Sequence, residues 1–427
     1  MLFRSVDGLR TQRLDRPYLR SNGKLAAASW TAALGAVADK IKATDPSKIG
    51  IVVGDLASAE ELFAVKSLAD ALGIASIDAR ADGSVIDPAW GRATYAFNAT
   101  IAGIEAADAV LLVGTNPRKE APVLNARIRK RWRKGGLPVA VIGEEADLTY
   151  AHEYLGAGPE TLEALASGQL GFLETLKAAE RPLIVVGNAV TARADGAAVL
   201  AAVAKLAVEV GAVGPEWNGF SVLHTAASRV AALDLGVVPA AGGKSAGEIL
   251  SGACEVVILV GADEFDTSKL GSSFVVYLGT HGDRGAHAAS VILPGAAYTE
   301  KAGLWVNTEG RVQSGQRATF PVGEAREDWA VLRALSALVG KTLPFDSLAE
   351  LRARLVAVHP TFAGVDEIAA SRHEDVAALA SKGGAMDRAR FAGAVADFYL
   401  TNPIARASKV MAECSALHHA RAAAAAE

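Results

Sequence analysis

The chain has 427 residues, of which 51% are hydrophobic and 21% charged, a globular composition far from the disordered regime. A net charge of −4 and an isoelectric point near 6.1 exclude the basic footprint of a nucleic-acid-binding protein, so no nucleic-acid partner is expected. With two cysteines, Cys254 and Cys414, a disulfide framework is excluded, and so is a four-thiolate cluster held by this chain alone.

The length predicts two or three domains. The opening stretch MLFRSVDGLRTQRLDRPYLR lacks the apolar core of a signal peptide, and Asp7 and Asp15 argue against a transit peptide. No apolar run approaches the ~18–20 residues of a membrane span, so direct membrane insertion is not expected and a cytosolic placement is the simplest. Residues 1–47 read as a lead-in, 48–180 as a first α/β unit, 181–345 as a second, and 346–427 as a helical C-terminal region.

In the first unit, Lys48–Val53 (KIGIVV) is a short apolar run closed by Gly54, the form of a buried parallel strand. Ser58–Leu72 follows as a helix: Ser58 and Glu61 form a capping box, apolar residues recur at Leu62, Val65, Leu68, Ala69 and Leu72, and Gly73 closes it. Ile74–Ile77 and Ala109–Val113 are the next strands. The turn Gly114-Thr115-Asn116-Pro117 ends the second, where backbone N–H groups either cradle a phosphate or simply turn the chain into a helix. Helix 123–134 carries Arg127, Arg129, Lys130, Arg131, Arg133 and Lys134. It reads as a solvated basic face or as a seat for an acidic protein partner anchored by Trp132. Strand Pro138–Ile142 completes the unit.

The second unit repeats the theme with strand Leu183–Val186, the Ala-rich helix Gly196–Val210, and strands Val256–Val260, Phe274–Leu278 and Ser290–Leu293. Cys254, ahead of the first of these three, reads as a small buried hydrophobe. Both units end strands in Gly-polar turns, so their loops are expected to face a common cleft. Asp328–Val339 is a closing helix, and Ala405–Glu427 an Ala-rich helical tail that frays at AAAAAE.

Two clusters carry candidate chemistry. His281, Asp283, Arg284 and His287 follow a strand; two His and one Asp suit zinc or iron, but a packed polar loop or a vacant ligand pocket explains the same residues. GDRGAH is the nearest approach to a glycine motif and is expected to open no helix. Glu300, Asn307, Glu309 and Arg311 have acid/base capacity, or form a turn whose polar groups satisfy one another. No GxSxG, P-loop, HExxH or complete GxGxxG occurs.

The stretch SVILPGAAYTEKAGLWVNTEGRVQ (290–313) resembles the molybdopterin oxidoreductase superfamily, in which a strand and "LP" turn precede E…N-x-EGR-x-Q. More narrowly, the chain resembles the C-terminal region of the large iron–sulfur subunit, the G subunit, of respiratory complex I. The supporting pieces are DGLRTQRLDRPYLRSNGKL (7–25), Ser29-Trp30, LLVGTNPRKEAPVLNARIRK (111–130), GDRGAHAASVILPGAAYTEKAGLWVNTEGRVQ (282–313), GEAREDWAVLRALS (323–336) and DFYLTNPIARASKVMAECSAL (397–417).

The resemblance implies a molybdopterin-oxidoreductase-like α/β fold: two doubly wound, mostly parallel sheet units around a cleft, with a helical C-terminal tail. It implies a cofactor-free scaffold of the complex I peripheral arm, supporting electron transfer from NADH through iron–sulfur clusters to quinone, coupled to proton translocation. Such a chain is not catalytic alone, and its partners are other peripheral-arm subunits. They sit on the cytoplasmic face of a bacterial inner membrane, or on the matrix side in a mitochondrion. The family subunit binds [2Fe–2S] and [4Fe–4S] clusters through N-terminal cysteines that would precede residue 1, and MLFRS looks foreign to the pattern. No catalytic or metal residue is expected. Gly114, Thr115, Asn116, His281, Asp283, Arg284, Asn307, Glu309 and Arg311 become candidates for the walls of a vestigial cleft. The alternatives are an active molybdopterin-dependent oxidoreductase, formate-dehydrogenase-like, and an independent binding module with a nucleotide-like cleft.

Overall fold

The computed structural model describes residues 6–426, with side chains up to residue 421. The expectation for MLFRS lies outside the described residues; of AAAAAE, the backbone is helical as far as Ala426 and Glu427 lies outside.

Five fully buried apolar runs nucleate two parallel sheets: β3 (Ile49–Val53), β5 (Ala109–Val113), β6 (Val139–Ile142), β8 (Pro182–Val186) and β10 (Val256–Val260). Strands buried on both faces need no polar alternation, which is why they read as unbroken Val/Ile/Leu. The first sheet runs β2-β1-β12-β11-β10-β3-β4 and the second β7-β6-β5-β8-β9. Here β1 is Tyr18–Ser21, β2 Lys24–Ala27, β4 Ser76–Asp78, β7 Glu153–Gly156, β9 Phe220–Val222, β11 Phe274–Gly279 and β12 Val291–Pro294. All pairings are parallel except the β1–β2 hairpin and its edge pairing with β12.

These sheets cut across the expected division at residue 180. Strands β8 and β9 complete the sheet of β5–β7, whereas β10–β12 return to the sheet begun by β3 and β4. The second sheet is thus an insertion within the first. Parallel strands joined by crossovers can return to an earlier sheet, and linear order does not encode that return.

Helices cover the sheet faces. They are α1 (Trp30–Lys42), α2 (Ala59–Leu72), α3 (Pro122–Trp132), α4 (Gly196–Glu209), α5 (Asp328–Leu338) and α6 (Leu348–Val358), with α7 (Lys409–Ala426) at the C-terminal end. The capping box of α2 forms as its sequence dictates: Ser58 Oγ accepts from Glu61 N–H, and the Glu61 carboxylate accepts from Ser58 N–H at 2.8 Å. Gly73 closes α2 in the left-handed conformation at φ 70°. A hairpin of β13 (Gly303–Val306) and β14 (Val312–Gly315) stands apart from both sheets. Contrary to expectation, GDRGAH does open a short helix, Arg284–Ala288, because Asp283 caps the Arg284 N–H at 2.8 Å. Cys254 is buried, as its place before a core strand suggested.

In both sheets the strand order reverses next to the first strand of the set, between β3 and β10 in one and β5 and β8 in the other. Such switch points open a crevice beyond the carboxyl ends of the strands. Gly54 and Gly261 meet at the first, and Gly114 and Gly187 at the second. A Cβ on Gly54 would collide with the Gly261 carbonyl, and one on Gly187 with Thr115.

Candidate functional site

Between the two switch points lies a cavity of about 330 Å³, walled by Asp55, Asp82, Asn188, Glu264, Arg284 and Arg406 among others. Asp55 follows β3, Glu264 follows β10, and Asn188 follows β8, so strand ends of both sheets supply it. The segment 394–406 crosses its mouth.

Its chemistry is carboxylate-rich. Burial, reinforced by Asp82 and opposed by Arg229, pushes the Asp55 carboxyl up to about 6. Burial also pushes Glu264 up to about 8, with Asp55 and Asp263 adding repulsion and Arg406 opposing. Asp82 goes the other way: burial opposes ionisation, but Arg229 (Nη2 to Oδ1, 2.9 Å), Ser84 N–H and the Asn188 amide (3.0 Å) hold its carboxyl below the usual range. Arg229 itself is only 2% exposed, an unusual depth for a guanidinium. From the C-terminal segment, Arg406 reaches back to Asp263 and Asp283, each at 2.5 Å, with Glu264 at 3.9 Å. One cation therefore bridges three acidic residues and ties residue 406 to the ends of β10 and β11.

The second switch point has its own acid. One Glu120 oxygen accepts the Asn116 N–H and the other the Asn188 N–H, both at 3.0 Å. Burial pushes this carboxyl up, with Glu144 adding repulsion, while those two N–H groups oppose the shift.

The sequence-selected residues separate into four places. Gly114, Thr115 and Asn116 line the second switch point around Glu120. Asp283 and Arg284 reach the central cavity, Asp283 through Arg406. His281 does not: it is fully buried, its Nε2–H donates to the Gly8 carbonyl at 2.8 Å, and its Nδ1 accepts from the Thr280 hydroxyl at 2.8 Å. Both ring nitrogens are spent on the protein, and burial pushes its pKa down to about 4, so the H-x-D-x-x-x-H spacing does not form a metal site. Among the described residues no group of three or more His, Cys, Asp or Glu side chains is placed to hold a metal ion.

Asn307, Glu309 and Arg311 form the β13–β14 turn. Glu309 accepts from Ile101 N–H (2.8 Å), Asn307 Nδ2 (3.2 Å) and Arg311 Nε (3.0 Å), while Asn307 Oδ1 accepts the Arg311 N–H (2.9 Å). Arg311 also donates to the Asp366 carbonyl. The turn satisfies itself and staples the hairpin to the loop before β5. Glu300 is likewise bound, in a bidentate pair with buried Arg13. In α3 and the turn after it the basic residues are largely engaged: Arg127, Lys130 and Lys134 surround Glu105, and Arg129 and Arg131 donate to backbone carbonyls.

A family model described as molybdopterin oxidoreductase matches residues 13–338. The chain belongs to the molybdopterin oxidoreductase family. A second model, the C-terminal region of the NADH-ubiquinone oxidoreductase G subunit, matches residues 361–414. Among curated relatives, the G subunit of NADH-quinone oxidoreductase from Rickettsia bellii is 41% identical over 96% of this chain. The mitochondrial NADH dehydrogenase [ubiquinone] iron-sulfur protein 1 of Solanum tuberosum is 43% identical over 96%. The chain spans 58% and 55% of the lengths of these two relatives. Among solved structures, acetylene hydratase from Pelobacter acetylenicus aligns over 96% of this chain and 71% of its own, with a TM-score of 0.57 at 12% identity. A formyltransferase/hydrolase complex from Methylorubrum extorquens aligns over 80% and 99%, with a TM-score of 0.56 at 19% identity. These two likenesses are likenesses of fold.

The family's eponymous cofactor carries phosphate, and the residues present do not fit it. A phosphate at a strand-end crevice needs free N–H donors or cations. At the first switch point Asp55, Asp263 and Glu264 stand with Arg284, while Arg406 and Arg229 are already bound to Asp263, Asp283 and Asp82, and at the second the Asn116 and Asn188 N–H groups are already bound to Glu120. Iron–sulfur ligation fits no better, since it takes several thiolates converging on one point, and Cys254 is packed against Gly50 and Ile249.

Asp55, Asp82, Glu120, Asn188, Arg229, Glu264 and Arg406 were not singled out in the sequence. The available signal was a glycine followed by polar residues at the end of a buried run, as in VVGD (52–55), VVGN (185–188) and LVGADE (259–264). Nothing local marked Glu120 or Arg406.

Proposed function

We propose that this chain is the scaffold part of the large iron–sulfur subunit of NADH-quinone oxidoreductase, in the peripheral arm of complex I. There it supports electron transfer from NADH through iron–sulfur clusters to quinone, coupled to proton translocation, without carrying out a chemical step itself. The observation that carries this reading is that relatives named as this subunit align along nearly the whole chain while the crevice at the first switch point is lined by carboxylates, with Arg406 bound among them. Electron transfer between clusters depends on their spacing and dry surroundings, and a large, cross-braced α/β body holds spacing. Gly114, Thr115, Asn116, Asp283 and Arg284 are then walls of a vestigial cofactor crevice. Among the described residues no helix is long and apolar enough to cross a membrane, in keeping with a place in the extramembrane arm. The partners are neighbouring complex I subunits.

Expression of the tagged chain in its host, followed by affinity purification, tests this. Co-purification of complex I subunits with NADH-quinone reductase activity, and without molybdenum, is expected. A stoichiometric molybdenum and pterin content would overturn the scaffold reading in favour of an active molybdopterin oxidoreductase. Purification free of any complex I subunit would remove the assignment to the arm.

A further inference from the structure

Glu120 occupies a position usually left for a ligand. In a doubly wound sheet, the crevice at the reversal of strand order receives the anionic part of a bound molecule, gripped by backbone N–H groups of the loops after the two central strands. Here those loops are Gly114–Asn116, after β5, and Gly187–Asn188, after β8. One N–H from each loop points at the same object, and that object is a side chain of the protein itself. The two Glu120 oxygens are shared between the loops, one to Asn116 N–H and one to Asn188 N–H, each at 3.0 Å. The Thr115 hydroxyl is buried at the same switch point and has no hydrogen-bond partner.

The surroundings are tight, and Glu144 adds a second negative charge nearby. Gly114 takes φ 57°, and the close contact of Gly187 with Thr115 leaves no room for a Cβ, so the two loops are pressed together around the carboxylate. Asn188 is held from the other side as well, its side-chain amide donating to Asp82 at 3.0 Å and its Oδ1 accepting from Thr191 at 2.8 Å. The Asn188 donor is therefore held in place by contacts other than Glu120. The competing explanation is that Glu120 merely satisfies two loop N–H groups, as any buried turn requires. A carboxylate joining two loops from different strands, at the reversal point of the sheet, goes further than that.

We infer that Glu120 is an internal anion replacing a ligand phosphoryl group, and that removing it uncovers an oxyanion site for inorganic phosphate or a phosphate monoester. The switch point is thus filled by the chain's own carboxylate, which locks the two loops without any ligand. Every group involved belongs to this one chain, so the site forms whether or not the chain is assembled into complex I.

The test compares the full chain with Glu120→Ala and Glu120→Gln, using inorganic phosphate as the probe and chloride at matched ionic strength as the control. Equilibrium dialysis with radiolabelled phosphate is expected to give one phosphate per Glu120→Ala chain and none at this site in the wild type. Glu120→Gln fills the space with an amide and is expected to bind none. The unfolding midpoint of Glu120→Ala should climb with phosphate concentration, as ligand linkage requires, and acetate should compete by restoring a carboxylate. If Glu120→Ala does not accumulate as folded protein, refolding from urea in phosphate against chloride gives the same reading: phosphate should raise its yield and leave that of Glu120→Gln unchanged. Phosphate binding or rescue no greater in Glu120→Ala than in the other two proteins overturns the inference.

Discussion

Glu264→Gln isolates the electrostatic cost built into the central crevice. Glu264 sits at the end of β10, its side chain 18% exposed, beside Asp55 and Asp263. In the folded chain its carboxyl is pushed from 4.5 up to about 8. The sign follows from proton counting: between pH 4.5 and pH 8 the folded state holds a proton that the unfolded state has released, so stability falls as pH rises through this window. At about 1.4 kcal/mol for each pH unit crossed, the span from 4.5 to 8 sets an upper limit of about 5 kcal/mol. Asp55, pushed up to about 6 by the same burial, titrates within that window and shares the penalty, so about 2–3 kcal/mol is the expected share of Glu264 alone. Glutamine keeps the shape and removes the charge. Urea unfolding of both proteins from pH 5 to pH 9 should show near-equal stabilities at pH 5 and a growing advantage for Glu264→Gln, levelling off above pH 8. Equal stabilities at every pH, or a variant weaker than wild type at pH 8.5, would refute the account of the crevice as a cluster of unwilling carboxylates.

Arg406→Met should destabilise the chain by about 3–5 kcal/mol at neutral pH, because Asp263 and Asp283 lose a buried cation. Arg406 helps to hold Asp283 below its ordinary pKa, and stability of that kind is present above the ordinary carboxylate value and lost as pH falls through the lowered one. The deficit should therefore shrink in acid, and limited proteolysis should cut the 394–408 segment first; a pH-independent deficit with an uncut segment would contradict this. Lys301→Met removes the partner of buried Glu61 and the cation beside Asp328, whose carboxyl burial already drives well above its usual range. A loss of about 3–5 kcal/mol in urea unfolding is expected. The double variant Lys301→Met, Glu61→Gln should recover much of it, since glutamine keeps the capping box of α2; no recovery would mean that the charge of Glu61 is not what the single variant suffers from.

Much of the architecture was written locally. A run such as AVLLV at 109–113 has no polar face, and its five residues, ending in the Gly114 turn, are too few for a buried helix, so it reads as a strand buried on both sides. The Ser58–Glu61 capping box and Gly73 fix both ends of α2 from the sequence alone. The short strands were harder: Phe220–Val222 and Glu153–Gly156 are three and four residues long, with too few positions for any period to show. The Asp283 cap hides in GDRGAH, whose glycines argue against the helix that Asp283 nonetheless starts.

The amino-acid sequence by itself determined the long buried strands and the main helices, the α/β class and, through NTEGRVQ and its companions, the family. Those follow from residue types at fixed short spacing, which chain order preserves. Only the tertiary structure decided which strands share a sheet and what the crevice contains. Residues 120 and 188, or 263, 283 and 406, are distant along the chain, and they meet because crossovers return β8 to β5 and β10 to β3 and lay the C-terminal segment across the strand ends. The polar signature at 307–311, the most legible motif, proved to be a self-satisfied turn. The crevice depends instead on solitary carboxylates and one arginine, whose meaning lies in burial and in what they face, and neither is encoded in spacing.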